Sequence, residues 1–555
     1  MKAAALLLLC LVPRETTLRV SWAPPSQLDP QRATSLSESR YIGALFEGLF
    51  TPGPDGVTPA PGMAERWESS ADGLTWTFAL REAAWSNGDP VKAGDFVFAW
   101  RRALRPETGC EFVSLFRIFK NVGAWLEAAQ ADAILAQLDD LTKPRQAEAL
   151  EALGRIGRKR HAEALRRRGA LEAAKAAGER AEIAEGDLGF AAVDARTLRV
   201  TLERRAPWLP DLLSFMSFAP VPARVIAAHG DGWVTPGKVV TNGPYRFESA
   251  TGVTLTFKKS ASYWDKALAD APDAVAVELS SEEVALEKFR AGKLDWLPRE
   301  QIPASKLAEQ KDLLAYDTWG THFLRFNVAR PPFDKRDARV AVARAIDRRE
   351  AAKAGGGRPT ERLVPAAFPG YAEVAGLPFD KAAAMEALLK ASDFDVSKFP
   401  RIELLTNESP RAVATGKAVA EQLEKTLAVT ARVRSMKWPA YFKAMAEGDF
   451  QVVLGSWTGD YFDPAAFLEG WTTAAGGGST GWSDAEFDAL LREAGGTAEA
   501  AARLGLLAKA EARLLAAAPL VPLHTAWDAA LVREGVSGIR PNLLSRFPLK
   551  LVRVR

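Results

Sequence analysis

Strand-like and helix-like text alternates in two separate blocks of this chain, one ending near Trp319 and one beginning after it. Such alternation builds sheets covered by helices, and two blocks predict two α/β lobes. In the first block, residues 18–22 are short and β-prone, and Pro24-Pro25 ends them. Residues 39–50 space Ile42, Leu45, Phe46 and Leu49 as a helix does. Residues 74–80 alternate, with Trp76, Phe78 and Leu80 on one face, and Asn87-Gly88-Asp89 predicts a turn. A helix is expected over 93–104, with Asp95 in the first turn where the dipole favours it. Strand text returns at 193–202, at 239–247 after a turn, at 253–258 as its hairpin partner and at 275–279. A helix over 282–291 is closed by Gly292. The second block predicts a helix over 337–352, a glycine-rich bend at 355–357, a strand at 401–406 and a helix over 412–427. Strands follow at 431–436 and 450–456, then helices within 484–517 and a final strand in 548–555. No internal repeat is visible.

Between the strands of the first block lies a different texture. Residues 124–185 are rich in Ala, Leu, Glu and Arg and predict two or three helices, better read as a helical hairpin packed on one lobe than as a partner-binding arm. Residues 2–12 place one Lys before a run of Ala and Leu, which reads as a secretory leader, because about 20 apolar residues are needed to cross a bilayer. Cys10 fits a lipoprotein signal poorly, since Leu9 rather than a small residue precedes it. With the leader removed, Cys110 has no partner for a disulfide. A net charge of +3 over 555 residues implies no nucleic-acid surface. The 16 tryptophans exceed ordinary usage and suit a cleft that meets varied ligands with rigid rings.

No catalytic constellation emerges. The four histidines, His161, His229, His322 and His524, are scattered and never at metal-ligand spacing, and H-E-x-x-H, G-x-S-x-G, P-loop and G-x-G-x-x-G patterns are absent. Gly476-Gly477-Gly478 lacks the strand-to-helix context of a phosphate cradle and reads as a flexible surface loop. No catalytic residue, metal or cofactor is expected. One segment is different: Gly455 through Pro464 leaves an apolar strand through small residues and sets Asp460 among aromatics. Small residues let another backbone approach, and an Asp there could accept charge-assisted hydrogen bonds from an ammonium group. An ordinary strand exit with Asp460 as turn former stands level with that reading on local sequence.

Several strings together settle the comparison. They are Phe46-Glu47-Gly48-Leu49, Trp76 through Arg81, Trp85 through Val91, Asp95-Phe96-Val97 with Trp100, Val240 through Tyr245, and Tyr263-Trp264. Phe326-Asn327, Pro331-Pro332-Phe333, Arg339 with Ala345 through Arg348, and Trp457 through Pro464 complete the set. In this order and spacing the chain resembles the oligopeptide- and dipeptide-binding proteins of bacterial ABC importers, the cluster C solute-binding family. The resemblance implies an α/β, bilobal, type II periplasmic-binding-protein-like fold with an extra inserted domain, to which this chain adds the helical insertion. It divides the chain into a leader (1–17), lobe I (18–61, 193–319 and 528–555), an inserted domain (62–192) and lobe II (320–527).

It also implies that Asp460 binds a peptide's α-amino group. Gly455, Ser456 and Thr458 would pair with peptide backbone, and Trp438 and Trp457 would line side-chain pockets, with Tyr461 beside the acid completing the candidate set. The implied partners are a short peptide and a membrane ABC permease, with no nucleic acid; a monomer outside the cytoplasm, soluble or tethered, is expected. The chain departs from the family at Leu454, where the receptors carry an Arg, and at Thr458, where they carry a disulfide-bonded Cys. Recognition of a ligand's carboxylate is therefore open. The alternatives are a non-peptide solute (nickel chelate, haem, opine or sugar), a peptidase on the same scaffold, or a regulatory sensor.

Overall fold

The computed structural model describes residues 15–127, 129, 165, 166, 169 and 184–555. The leader at 2–12 and most of the insertion at 124–185 lie outside the described residues. β1 (Thr17–Ser21) buries Leu18 and Val20 and turns Arg19 outward, where Nε and Nη2 grip Asp295 at 3.0 and 2.6 Å. Thr16 donates to Asp273 through its backbone N–H and Thr17 pairs with Ala274, so these two residues belong to the sheet rather than to a leader ending at 17. β2 (Phe50–Pro52) and β3 (Pro59–Pro61) make a small ribbon. β4 (Ala64–Ser69), β5 (Thr75–Leu80), β6 (Phe190–Ala192) and β7 (Thr197–Thr201) form a separate antiparallel sheet in the order β4-β5-β7-β6.

Among the described residues the main sheet has ten strands. β8 (Tyr245–Thr251) and β9 (Thr254–Lys259) form the expected hairpin, turning on Gly252 at φ +58°. They lead to β10 (Ala274–Glu278), β11 (Trp296–Pro298), β12 (Leu314–Phe326), β13 (Ile402–Asn407), β14 (Ala431–Met436), β15 (Val452–Thr458) and β16 (Leu520–Val532). The order is β14-β13-β15-β12-β16-β11-β1-β10-β9-β8. β12 and β16, each of 13 residues, pair antiparallel with each other. β12 also takes β15 along Gly320–Phe326, while the far end of β16 takes β11 along Ala530–Val532. These two strands thus tie the β13–β15 half of the sheet to the β1–β11 half. Their ladder is broken between Asp317 and Thr321 and again between His322 and Phe323, and such breaks bend and twist a strand pair. Leu324, Phe326, Ile346, Leu404, Val452 and Val521 belong to one core, and Leu18, Val20, Trp22 and Trp296 to another. The short β17 (Val536–Ser537) and β18 (Arg553–Val554) close the chain.

Several of the strings that carry the resemblance meet at one buried carboxylate. Glu47 accepts hydrogen bonds from Trp264 Nε1 (2.6 Å) and Lys550 Nζ (3.1 Å), and Asn242 brackets the Glu47 backbone at 3.1 and 2.9 Å. Pairing Lys550 with Glu47 and Asp265 offsets the cost of burying the charge.

Several expectations need correction. The helix expected over 39–50 runs over Leu36–Leu45, with Phe46 extended. The helix expected over 337–352 is two, Arg336–Ala345 and Arg348–Gly355. Ile346 is extended, and Asp347 caps the second helix by accepting the Arg349 N–H. The tail expected as a strand over 548–555 is β only at Arg553–Val554, because Leu549–Leu551 form a 3-10 turn. Gly476, Gly477 and Gly478 all have positive φ, and a side chain at Gly477 or Gly478 would collide with Trp482 or Trp471. That is a packed turn, not a loose loop.

Candidate functional site

β15 has two different edges. One is paired along its whole length with β12, from Phe326↔Val452 to Gly320↔Thr458. The other meets β13 only at Leu404↔Val452 and Leu405↔Val453. Beyond that, β13 ends at Asn407 and the chain enters the helix Pro410–Leu427. Antiparallel pairing sends backbone groups alternately to either side. The Gly459 N–H donates to Trp319 C=O (2.9 Å) and Gln451 C=O accepts from Asn327 N–H (2.9 Å), so odd-numbered residues face β12. Leu454, Ser456 and Thr458 therefore face the unpaired side. The Leu454 carbonyl is taken by Tyr441 Oη at 2.7 Å. Ser456 and Thr458 have no partner on this side among the described residues, and both are exposed. A bare strand edge of this kind is a template for another extended chain.

Asp460 stands just past the end of that edge. Its neighbours are each pinned. The Trp319 indole N–H donates to Tyr461 C=O (3.0 Å), and Gly459 lies so close to Trp319 that a Cβ would strike Nε1. The Phe462 N–H donates to Asp211 Oδ2 (2.6 Å), and Asp211 in turn holds Arg546 at 2.9 Å. Asp463 forms a two-armed pair with Arg503, 2.8 Å at both contacts, and caps the Ala465 N–H. Tyr461 stacks on Trp208 with ring centroids 5.1 Å apart and planes 8° from parallel. Asp460 is the exception. Among the described residues its carboxylate has no hydrogen bond and no ion pair, and burial alone pushes it up to about 6 from 3.8. A desolvated acid without a partner suits a cation arriving from outside.

The structure brings the candidate residues together unevenly. Gly455, Ser456, Trp457 and Thr458 lie in β15, two residues further along than the strand expected at 450–456, so Trp457 and Thr458 are in the strand rather than in a loop, and Gly455, expected to pair with peptide backbone, sends its backbone groups to β12 instead. Trp457 is 43% exposed and anchored by its indole N–H to Ala466 C=O (2.7 Å). Trp438 is 52% exposed and stacked on Phe442, itself 57% exposed, on the helix Trp438–Ala446 whose Tyr441 reaches β15. Tyr461 is the misplaced candidate: at 7% exposure, with its hydroxyl on Glu469 (3.0 Å), it braces the loop from beneath. Sequence reasoning missed Trp319, Asp211, Arg503 and Tyr441, which hold the loop and the edge. It also missed that His322 and His524 stack at 4.5 Å. Among the described residues no group of three or more His, Cys, Asp or Glu is placed to hold a metal, and no helix is long and apolar enough to cross a membrane.

Residues 58–479 match the family described as bacterial extracellular solute-binding proteins, family 5. The chain is 28% identical over 539 residues to the probable deoxycholate-binding periplasmic protein of Escherichia coli (strain K12), covering 95% of this chain and 91% of that one. It is 28% identical over 544 residues to the dipeptide-binding protein of Bacillus subtilis (strain 168), with 95% and 89% covered. The structure of the murein tripeptide binding protein of Escherichia coli superimposes with a TM-score of 0.74 at 24% identity, covering 97% of this chain and 98% of that one. That likeness shows the fold: a type II periplasmic-binding-protein architecture.

Proposed function

Because the chain belongs to the bacterial extracellular solute-binding proteins of family 5, we propose that it captures short peptides between its two lobes and hands them to a membrane ABC permease. The observation that carries this is Asp460, desolvated and without a partner among the described residues, at the end of an unpaired strand edge. A peptide laid along β15 pairs with the outward backbone groups of Ser456 and Thr458, and its ammonium meets Asp460. Gly455 has no side chain to obstruct that approach, and Trp457 and Trp438 offer exposed rings to ligand side chains. Backbone pairing reads no side chain, so affinity comes with broad tolerance.

We assign lobe I to 18–61, 193–319 and 528–555, the inserted domain to 62–192 and lobe II to 320–527. Both lobe boundaries fall inside the long strands β12 and β16, which supports a two-strand hinge there. We read the protein as an exported, non-catalytic monomer, with 2–12 as its leader.

The relative named for deoxycholate supplies a second reading, and the stacked Trp438–Phe442 pair would suit a fused apolar ring system. A bile acid carries an anion but no cation, which leaves Asp460 unanswered, so the peptide reading is preferred. Mass spectrometry of small molecules that co-purify with the protein tests the class, with a ladder of short peptides as the expected result. Asp460→Ala is expected to weaken free-amine peptides at least a hundredfold by calorimetric titration, since it strands a buried charge at about 3–5 kcal/mol. An unchanged titration refutes the assignment.

A further inference from the structure

If a peptide's amine meets Asp460, its other end needs a cation, and Leu454, 4% exposed with its carbonyl on Tyr441, supplies none. Resting on that reading, we propose that Arg411 and Arg299 form this chain's anion clamp for the ligand's terminal carboxylate.

The two arginines come from opposite halves of the sheet: Arg299 follows β11, and Arg411 lies in the first turn of the helix Pro410–Leu427 that follows β13. Both guanidinium groups lie over one ring, Trp527 in β16, at 4.8 and 4.7 Å from its centroid. Their carboxylate supply is unequal. Arg299 has Asp528 at 3.5 Å, which also accepts from Tyr316 and Ser545. Arg411 has no ion pair among the described residues, and its Nη1 is buried without an acceptor. The nearby Asp317 is already held by Arg358 (3.1 Å) and Thr525. The remaining titratable neighbours, His322 and His524, are stacked on each other and uncharged at neutral pH, and His322 is held down to about 3 by burial, His524, Arg299 and Arg411. Burial is the main cause of that depression, and the two arginines add to it.

Direction agrees. β13 runs parallel to β15, and by extension of its register Asn407 lies level with Gly455. A guest strand beside Ser456 and Thr458 therefore occupies the slot that β13 vacates and ends against the turn carrying Arg411. With its amine at Asp460, the end that faces Arg411 is the carboxylate. Arginine presents a planar fork matched to a carboxylate. Because the clamp draws one arm from each half, a carboxylate bridging it also favours the closed arrangement of the halves.

The test is calorimetric titration of alanine peptides of three to five residues, as free acids and as C-terminal amides, against the wild type and Arg411→Gln. The wild type is expected to prefer the acid at least tenfold. In Arg411→Gln that preference falls to within twofold while amide affinity stays within threefold, which also shows the variant folded; Arg411→Lys restores part of the preference. A wild type that does not distinguish acid from amide, or a preference that survives Arg411→Gln, overturns the clamp alone. Failure of the wild type to bind any of these peptides overturns the peptide reading as well.

Discussion

Replacing Asp460 with Asn should make the free protein more stable while disabling it as a receptor. In the folded chain the Asp460 carboxyl is pushed up to about 6 by burial, against 3.8 for an exposed aspartate. The native state therefore holds the proton over a range where the unfolded chain has released it. Stability from this group is fully present below the unfolded value and declines as pH rises from about 4 to about 6, then stays level. Each pH unit between the two values is worth about 1.4 kcal/mol, so the charged acid costs the free protein about 3 kcal/mol at neutral pH. Asn has nearly the same shape and no charge to desolvate. Equilibrium urea unfolding, followed by tryptophan fluorescence and by circular dichroism, is expected to show Asp460→Asn more stable by about 2–3 kcal/mol at pH 7.5 and equal to wild type near pH 4. Equal stability at pH 7.5, or a gain that does not change with pH, would refute the reasoning, because it would mean that the carboxylate already has a partner or lies in water.

The same group makes binding depend on pH. Below pH 6 the acid must shed a proton before it pairs with an ammonium, so affinity should fall toward tenfold per pH unit, with proton release seen by calorimetry in buffers of different ionisation enthalpy; a flat profile between pH 5 and 7 contradicts this. Ser456→Pro removes an N–H that faces away from β12 and tests the edge directly. Peptide affinity should drop at least tenfold with little change in unfolding midpoint, whereas Trp457→Pro, which breaks the β12 ladder, should destabilise the fold. Arg503→Met leaves Asp463 charged and unpaired in a buried site and should cost about 3–5 kcal/mol by denaturation, with much of the loss recovered in the double variant Arg503→Met/Asp463→Leu.

Much of the architecture is written locally. Helix Ala93–Leu104 and strand Ala431–Met436 lie where periodicity places them, because each has one clear apolar face and clear punctuation. The strand exit that carries Asp460 is legible to within two residues: the apolar run Val452–Leu454 marks the strand, but the small residues after it stay in the sheet as far as Thr458. The two long strands are not legible. β12 and β16 bury polar residues mid-strand, Thr321 and His524 among them, and β16 contains Pro522, so alternation fails where the ladder is broken. The break at Ile346-Asp347 is visible only once Asp347 is recognised as a cap that competes with helix continuation. The bare edge of β15 is a tertiary fact, since it exists because β13 stops at Asn407, which no residue in β15 announces. Tyr461 misled because an aromatic beside the key acid looks like a ligand contact, yet Trp208, far away in sequence, covers it.

Placing one ammonium-bearing guest against its acetylated twin offers the most direct test of how this cleft works. Titration of trialanine and N-acetyl-trialanine into the same protein at pH 7.5 isolates the contribution of the carboxylate at 460. The account predicts a free-amine preference of at least a hundredfold, about 2.7 kcal/mol. Equal affinity for the two, or tighter binding of the acetylated peptide, would contradict it.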